Sequence, residues 1–493
     1  MVNSFLVGVF ITLAALDSGA SIEISLAWEG NVSTNALTEL AVVAHGDTDV
    51  ALTVATESES PRISSVLKID GSREAQAWMP VVPSSDDVAV RTQIGSDKLS
   101  SNIASQATAN RKTIGTQPGI APIVLLGEFA ADRFATVAHA MQLAPSDLPR
   151  LAAAYKHIRA IVIDGNELAQ LEDAQLRALV EHVGNCGRVL LIDVNVDVAR
   201  LLMQRAGCGG RTIANVNRID DVGLQLEALL NNKTQQMPGQ TALQRLLVRQ
   251  QTDVALMAIF LSGFLLVFTL MASVPVTRMA ALGFCLIATG FTGLLWTGGH
   301  RDSFVAWAEV EDGYRVARYS GLEALASAGR GEQTFHTLSL GRSPHWITGD
   351  DVTLLWNAEP LDRQLRWLPH LLQEIQVLTS GSFAIESILR AGLTDGIATV
   401  CNLGATTTPG AFLRWGDTTY SVPALAPEQR WTPTDEDVVR QRSAPLGLLA
   451  TRAQGSAIAL LRPLRLPSQS RGNQQAWLLR RELDDSEVSP CRV

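Results

Sequence analysis

Between residues 21 and 95 apolar and polar positions alternate in short runs: EISLAW (23–28), LTELAVVA (37–44), VALTVATE (50–57), ISSVLKI (63–69), AQAWMPVV (75–82) and VAVRTQI (88–94). A period of two puts successive side chains on opposite faces of a strand. Turn residues separate the runs, among them His45-Gly46-Asp47-Thr48 and Asp70-Gly71. This spacing predicts an N-terminal β-sandwich over 21–95. The stretch 96–117 is rich in Ser, Asn, Ala, Thr and Gln and reads as a linker.

From 118 the rhythm changes. Apolar runs APIVLLG (121–127), IRAIVID (158–164) and RVLLID (188–193) alternate with helical patterns around 133–142, 168–182 and 196–205. Buried-type strands alternating with amphipathic helices predict an α/β domain with a parallel sheet over 118–232. In the second helix Leu171, Ala174, Leu176, Leu179 and Val180 gather on one face, and Glu172, Asp173, Gln175 and Arg177 point outward. Period-two runs return after residue 303, from FVAWAEV (304–310) to SAIALLRPL (456–464), and predict a β-rich domain over 303–467. The stretch 468–493 reads as a polar, mobile tail apart from Ala476-Trp477-Leu478-Leu479.

Three longer apolar runs predict an address. Residues 5–16 (FLVGVFITLAAL) carry no charge and precede Asp17-Ser18-Gly19-Ala20, which predicts a secretory signal over 1–20; an uncleaved anchor or a buried strand is the competing reading. Residues 254–274 and 279–298 are each long enough to span a bilayer and are separated by Pro275-Val276-Thr277-Arg278. Four residues cannot recross a membrane, so the pair predicts a two-helix transmembrane hairpin with both soluble portions on the external side. A buried hairpin of a soluble protein is the alternative. Residues 233–253 then form a stalk, with Leu243, Leu246, Leu247 and Val248 leading into the membrane and Arg245 and Arg249 disposed to meet lipid headgroups.

Composition narrows the partners. Hydrophobic residues make up 46% and charged residues 18%, too apolar for disorder. Forty Lys and Arg against forty-nine Asp and Glu give a net charge of −9, without the basic excess that nucleic-acid binding demands. Cys285 falls in the second apolar run, leaving Cys186, Cys208, Cys401 and Cys491. The natural pairing is Cys186 with Cys208 and Cys401 with Cys491; reduced, buried thiols are the alternative. Ten Trp concentrate in the second half, and Trp346, Trp356, Trp367 and Trp415 serve either as core anchors or as a ligand face.

The segment LPRLAAAYKHIRAIVIDGNELAQLEDAQLRALVEHVGNCGRVLLID (148–193) resembles the class I glutamine-amidotransferase-like domain of uncharacterised bacterial membrane proteins. The likeness rests on a strand ending in Asp164-Gly165, a helix, and a turn before the next strand, together with the order of parts over most of the chain. Relatives of this type commonly have two glycines in that turn, where this chain has Asn185-Cys186-Gly187.

Active amidotransferases of this fold carry a nucleophilic Cys in a strand-to-helix elbow, G-x-C-x-G, and the sequence has none. Cys186 precedes a strand, and Cys208 follows a helix in Ala206-Gly207-Cys208-Gly209-Gly210, a turn lacking the Lys-Ser/Thr of a phosphate cradle. His182 and Cys186 have a spacing compatible with a metal pair or a Cys-His dyad, but two ligands do not complete a zinc site. Asp164 sits where strands of a parallel sheet present functional carboxylates, and Asp-Gly there equally begins a turn and a helix cap. No catalytic, cofactor or metal residue is therefore assigned. The expectation is a non-catalytic scaffold or interaction protein of the bacterial envelope, anchored in the inner membrane, whose partners are the lipid bilayer and other envelope or membrane proteins. The rival is an exported hydrolase or amidotransferase-like enzyme using Cys186 or Asp164 in an atypical site.

Overall fold

The computed structural model describes residues 21–247 and 303–482, apart from connecting stretches within them. The expected signal at 1–20 and the apolar runs at 254–274 and 279–298 lie outside the described residues. The expected localisation, a multi-pass hairpin in the bacterial inner membrane, is corrected: among the described residues no helix is long and apolar enough to cross a membrane. The longest has 12 residues, about 18 Å of helix against a hydrocarbon core of roughly 30 Å.

Seven strands come first: β1 (Ser21–Leu26), β2 (Thr38–His45), β3 (Val50–Thr56), β4 (Arg62–Ile69), β5 (Ala75–Val81), β6 (Asp87–Ile94) and β7 (Asn110–Gly115). The α/β unit follows with β8 (Ile123–Leu126), β9 (Ala140–Gln142), β10 (Ala160–Asp164), α1 (Gly165–Gln170), α2 (Asp173–Gly184), β11 (Val189–Ile192), α3 (Val196–Arg205), β12 (Ile213–Val216), α4 (Val222–Asn231) and α5 (Gln240–Leu247). After it come β13 (Ser303–Glu311), β14 (Val316–Ala326), β15 (Gln333–Thr334), β16 (Ser343–Thr348), β17 (Thr353–Trp356), β18 (Leu365–Leu368), β19 (Glu374–Ala384), β20 (Leu389–Thr394), β21 (Ile397–Asn402), β22 (Ala411–Trp415), β23 (Thr418–Val422) and β24 (Arg430–Trp431). Helix α6 (Ala444–Arg452), β25 (Ile458–Pro463) and β26 (Asn473–Glu482) complete the described chain.

The α/β unit is a parallel sheet in the order β12-β11-β10-β8-β9, a doubly wound arrangement whose order reverses between β8 and β10. Its central strands β8, β10 and β11 are almost wholly apolar because both faces are covered. Val124, Leu126, Ile161, Ile163, Val189 and Leu191 meet Ala178, Leu179 and Val183 of α2 and Ala199 and Leu202 of α3. The alternate residues Ile123, Leu125, Val162, Leu190 and Ile192 meet Val222, Leu226 and Leu229 of α4. The helical pattern expected over 168–182 divides into α1 and α2. The break falls at Leu171-Glu172, where Glu172 and Gln175 form a capping box that starts α2. Residues 140–142, expected to end a helix, form the edge strand β9.

The early strands belong to two sheets. β1, β2 and β5 form an antiparallel three-stranded sheet in which Leu26, Leu40 and Met79 stand in one buried cross-strand row. β3, β4, β6 and β7 join β15, β17 and β18 in a seven-stranded sheet, through parallel pairing of β4 with β17. The β-rich stretches on either side of the α/β unit thus share one hydrogen-bonded sheet. Strand β7 lies within the stretch read as a linker and pairs with β6.

The three-stranded sheet docks on the α/β unit through aromatic and charged groups. Trp28 is buried, donates its indole N–H to the carbonyl of Ala154 at 2.8 Å, and meets the Tyr155 ring edge-on at 5.2 Å. Buried Glu39 of β2 accepts the backbone N–H groups of Arg150 and Leu151. The Arg150 guanidinium grips Glu172 through two hydrogen bonds of 3.0 and 2.9 Å and lies 4.4 Å over the Trp78 ring of β5.

An eight-stranded mixed sheet, β16-β19-β14-β13-β26-β25-β22-β23, forms the other half of the body. Residues 240–247, expected as part of a stalk, bury Leu243, Leu246 and Leu247 of α5 beside Leu449 of α6 against Val305, Trp307, Leu322 and Leu479. The apolar stripe of α5 therefore faces a protein sheet. Strand β26, within the stretch expected to be a mobile tail, is central: parallel to β13 on one side and antiparallel to β25 on the other. Trp307 is buried in this core and Trp415 packs partly buried in a neighbouring one, while the side chains of Trp346, Trp356 and Trp367 lie outside the described residues.

At the centre of this sheet Glu309 is buried among the apolar side chains of β13. Its carboxylate accepts two hydrogen bonds from Arg452 of α6, one of 2.7 Å, a third from Arg481 of β26 at 3.0 Å, and a fourth from the Trp307 indole at 2.9 Å. Removing a carboxylate from such a node leaves buried guanidinium charge without its counter-ion. Glu309→Ala is expected to cost about 3–5 kcal/mol by urea unfolding. Asp417→Ala, which breaks an exposed pair with Arg414, is expected to leave the midpoint unchanged.

Candidate functional site

In an open parallel sheet the place to look for chemistry is the carboxyl edge where strand order reverses. Here that is the crevice between β8 and β10, flanked by β11. Each strand runs directly into a turn: Gly127-Glu128-Phe129 after β8, Asp164-Gly165-Asn166 after β10, and Asp193-Val194-Asn195 after β11. None of the three turns holds a Cys, Ser or His.

Two side chains at this edge, Asp164 and Asn195, are engaged in holding the turns. The Asp164 carboxylate accepts the N–H of Asn166 at 2.8 Å and caps α1. The Asn195 side chain caps α3 in the same way, through the N–H of Asp197 at 2.8 Å. Gly127 has φ +135°, and a methyl there would press at 3.0 Å on both the Asp164 Cβ and the Phe129 ring. A methyl on Gly165 would come 2.5 Å from the carbonyl oxygen of Asp193. Asp193 itself adopts φ +51°, a conformation aspartate tolerates better than most residues, and donates its N–H to Val216 at 3.0 Å. The edge is thus drawn together by backbone contact, with the exposed carboxylates of Glu128 and Asp193 outermost.

The other sequence candidates lie at the opposite, amino edge. Cys186 and Cys208 form a disulfide with a Cα separation of 5.3 Å, the pairing expected from the sequence. Cys186 ends α2 in the left-handed conformation, φ +65°, with the N–H of Cys186 bonded to Val183 and that of Gly187 to His182. These are the two hydrogen bonds of a Schellman motif, with Cys186 where glycine commonly stands. The crosslink closes a separation of 22 residues, worth about 3 kcal/mol in chain entropy. It also removes the partner for a His182–Cys186 dyad or metal pair. Cys401 of β21 is disulfide-bonded as well, and Cys491 lies outside the described residues.

His182 is buried on the last turn of α2, with its ring 5.4 Å from the Tyr155 ring and against Gly187, where any Cβ would overlap it. Its Nε2 has no hydrogen-bond partner among the described residues. Burial pushes its pKa down to about 4. It is a neutral packing histidine. Among the described residues no group of three or more His, Cys, Asp and Glu is arranged to hold a metal ion.

What sequence reasoning missed is the Glu309 node and its neighbour Arg318, which stands beside Glu309 in register on β14. Arg318 is buried; burial pushes its pKa down to about 10, with Glu309 pulling it up and Arg481, Arg452 and Arg211 adding to the depression. The signal was present in FVAWAEV: a carboxylate two positions after Trp307 shares the strand face of an apolar core. Neither a protein-family model nor a curated protein matches the chain.

The state of His182 sets a pH dependence. Its folded pKa of about 4 lies below the ordinary 6.5, so the unfolded chain takes the proton first and stability falls as pH drops from 6.5 towards 4. The loss is expected to reach on the order of 3 kcal/mol at the bottom of that window and then level off. Urea midpoints measured between pH 7.5 and 4 should show that slope, and His182→Phe should flatten it.

Proposed function

We propose that this protein is a non-catalytic scaffold or interaction protein working in an oxidising compartment, in which an amidotransferase-like α/β unit, with no Cys, Ser or His in the described turns after β8, β10 and β11, docks on sandwich-like β layers. The observation that carries this reading is the engagement of Asp164 and Asn195 at the carboxyl edge. Where an enzyme of this architecture displays reactive side chains, Asp164 and Asn195 cap helices and two glycines close the turns. The Cys186–Cys208 disulfide supports the compartment, since such bonds persist where thiol reductants are scarce. The acidic net charge favours protein partners over nucleic acid.

Crosslinking in the native cells followed by purification tests the reading. A defined partner at near-stoichiometric yield is expected. Leu201→Asp on α3 and Leu224→Asp on α4, substitutions at side chains 58% and 72% exposed, are expected to weaken its recovery without changing the melting temperature. Asp164→Ala is expected to cost about 1 kcal/mol of stability through the lost cap and to leave partner recovery intact. A chain recovered alone, or a cellular function abolished by Asp164→Ala with no loss of stability, would overturn the proposal in favour of an enzyme.

A further inference from the structure

The disulfide lies at the seam between the α/β unit and the eight-stranded sheet. Gly184 and Gly207 stand close to its two cysteines in the chain, and both are buried. A methyl on Gly184 would overlap Ser382 Oγ of β19, and one on Gly207 would overlap the Gly184 carbonyl and come 2.7 Å from Cγ of Arg318 on β14. Ser382, Arg318 and Glu309 are in-register neighbours on β19, β14 and β13. Two glycines therefore let the end of α2 and the loop after α3 settle on one row of the sheet, beside the Glu309 node.

Val183 and Ala206 of these two segments share an apolar core, and the crosslink adds the covalent tie at the seam. The N–H of Gly207 reaches the Val183 carbonyl at 3.4 Å, a long hydrogen bond. The parallel strands behind them need no such help, because β10 and β11 pair over four residues and are buried on both faces. Cys186 and Cys208 are themselves 8% and 1% exposed, so a reductant reaches the sulfurs only when the seam opens.

We propose that the Cys186–Cys208 disulfide is a redox-sensitive clasp that holds the amino edge of the α/β unit on the eight-stranded sheet, so that a dithiol reductant releases the seam while leaving the parallel sheet folded. A thiolate of the reductant attacks one sulfur, the S–S bond breaks, and the other cysteine leaves as a thiolate that takes up a proton. The second thiol of the reductant then displaces the first cysteine from the mixed disulfide. The protein ends with two thiols and the reductant with one disulfide. Release uncovers Arg318, which is 3% exposed in the closed form.

Hydrogen exchange of the full chain with and without dithiothreitol is the test. Because the reagent also reaches the Cys401 disulfide, the Cys186→Ala/Cys208→Ala variant is measured beside it under oxidising conditions. In both samples amides of 184–187, 206–208 and 318–320 are expected to exchange at least about tenfold faster, while those of 161–163 and 189–192 keep their protection. In the oxidised wild-type background Gly207→Ala, which pries the seam apart with the bond intact, is expected to speed reduction by dithiothreitol several-fold. Equal loss of protection in the seam and the parallel strands would make the bond a staple of the α/β fold and overturn the proposal. So would unchanged exchange after alkylation confirms reduction, or a bond that dithiothreitol leaves intact in the native protein.

Discussion

A buried carboxylate must be met by hydrogen bonds or it forces the protein apart, and Glu309 is met from three elements at once. Arg452 reaches it from α6, Arg481 from β26, and Trp307 from its own strand. These bonds tie α6 and β26 to β13 on the sheet where α5 packs. Each guanidinium is planar and directional, so the node specifies an arrangement where apolar contact alone would accept several. Arg318, next in the row, carries the same arrangement towards the α/β unit.

Around that node the chain returns on itself. β4 pairs with β17 across nearly three hundred residues of sequence, and β13 and β26, from the two ends of the later β-rich stretch, lie side by side. The α/β unit docks on this returning chain. Its amino edge rests on the eight-stranded sheet, and the segment preceding β10 meets the three-stranded sheet through Trp28, Tyr155 and Arg150. Several contacts therefore couple the unit to both β regions.

The parallel sheet was legible because its physics is local. Strands buried on both faces read as uninterrupted apolar runs, and IVLL, AIVID and VLLI announce themselves. The Cys186–Cys208 pair was legible as a short-range crosslink, and the capping role of Asp164 was one of two readings of Asp-Gly. Much of the rest was not, because strand pairing is non-local: no feature of RISSVLKI says that its parallel neighbour is TLLW. β26 reads as tail since Gln474, Gln475, Arg480 and Arg481 outweigh its few apolar residues, and its place between β13 and β25 comes from pairing across the sequence, with Arg481 reaching Glu309 172 positions away. The amphipathic stripe of α5 was visible, but an apolar stripe does not say whether lipid or a sheet will cover it.

Through these contacts the α/β unit and the β sheets make one cooperative body with Glu309 near its centre. Differential scanning calorimetry of the full chain tests this most directly, because units that fold independently melt independently. A single cooperative transition whose calorimetric and van't Hoff enthalpies agree, moved as a whole by Glu309→Gln, is the result predicted. Two resolved transitions, of which Glu309→Gln shifts one and leaves the α/β unit melting where it did, would contradict it.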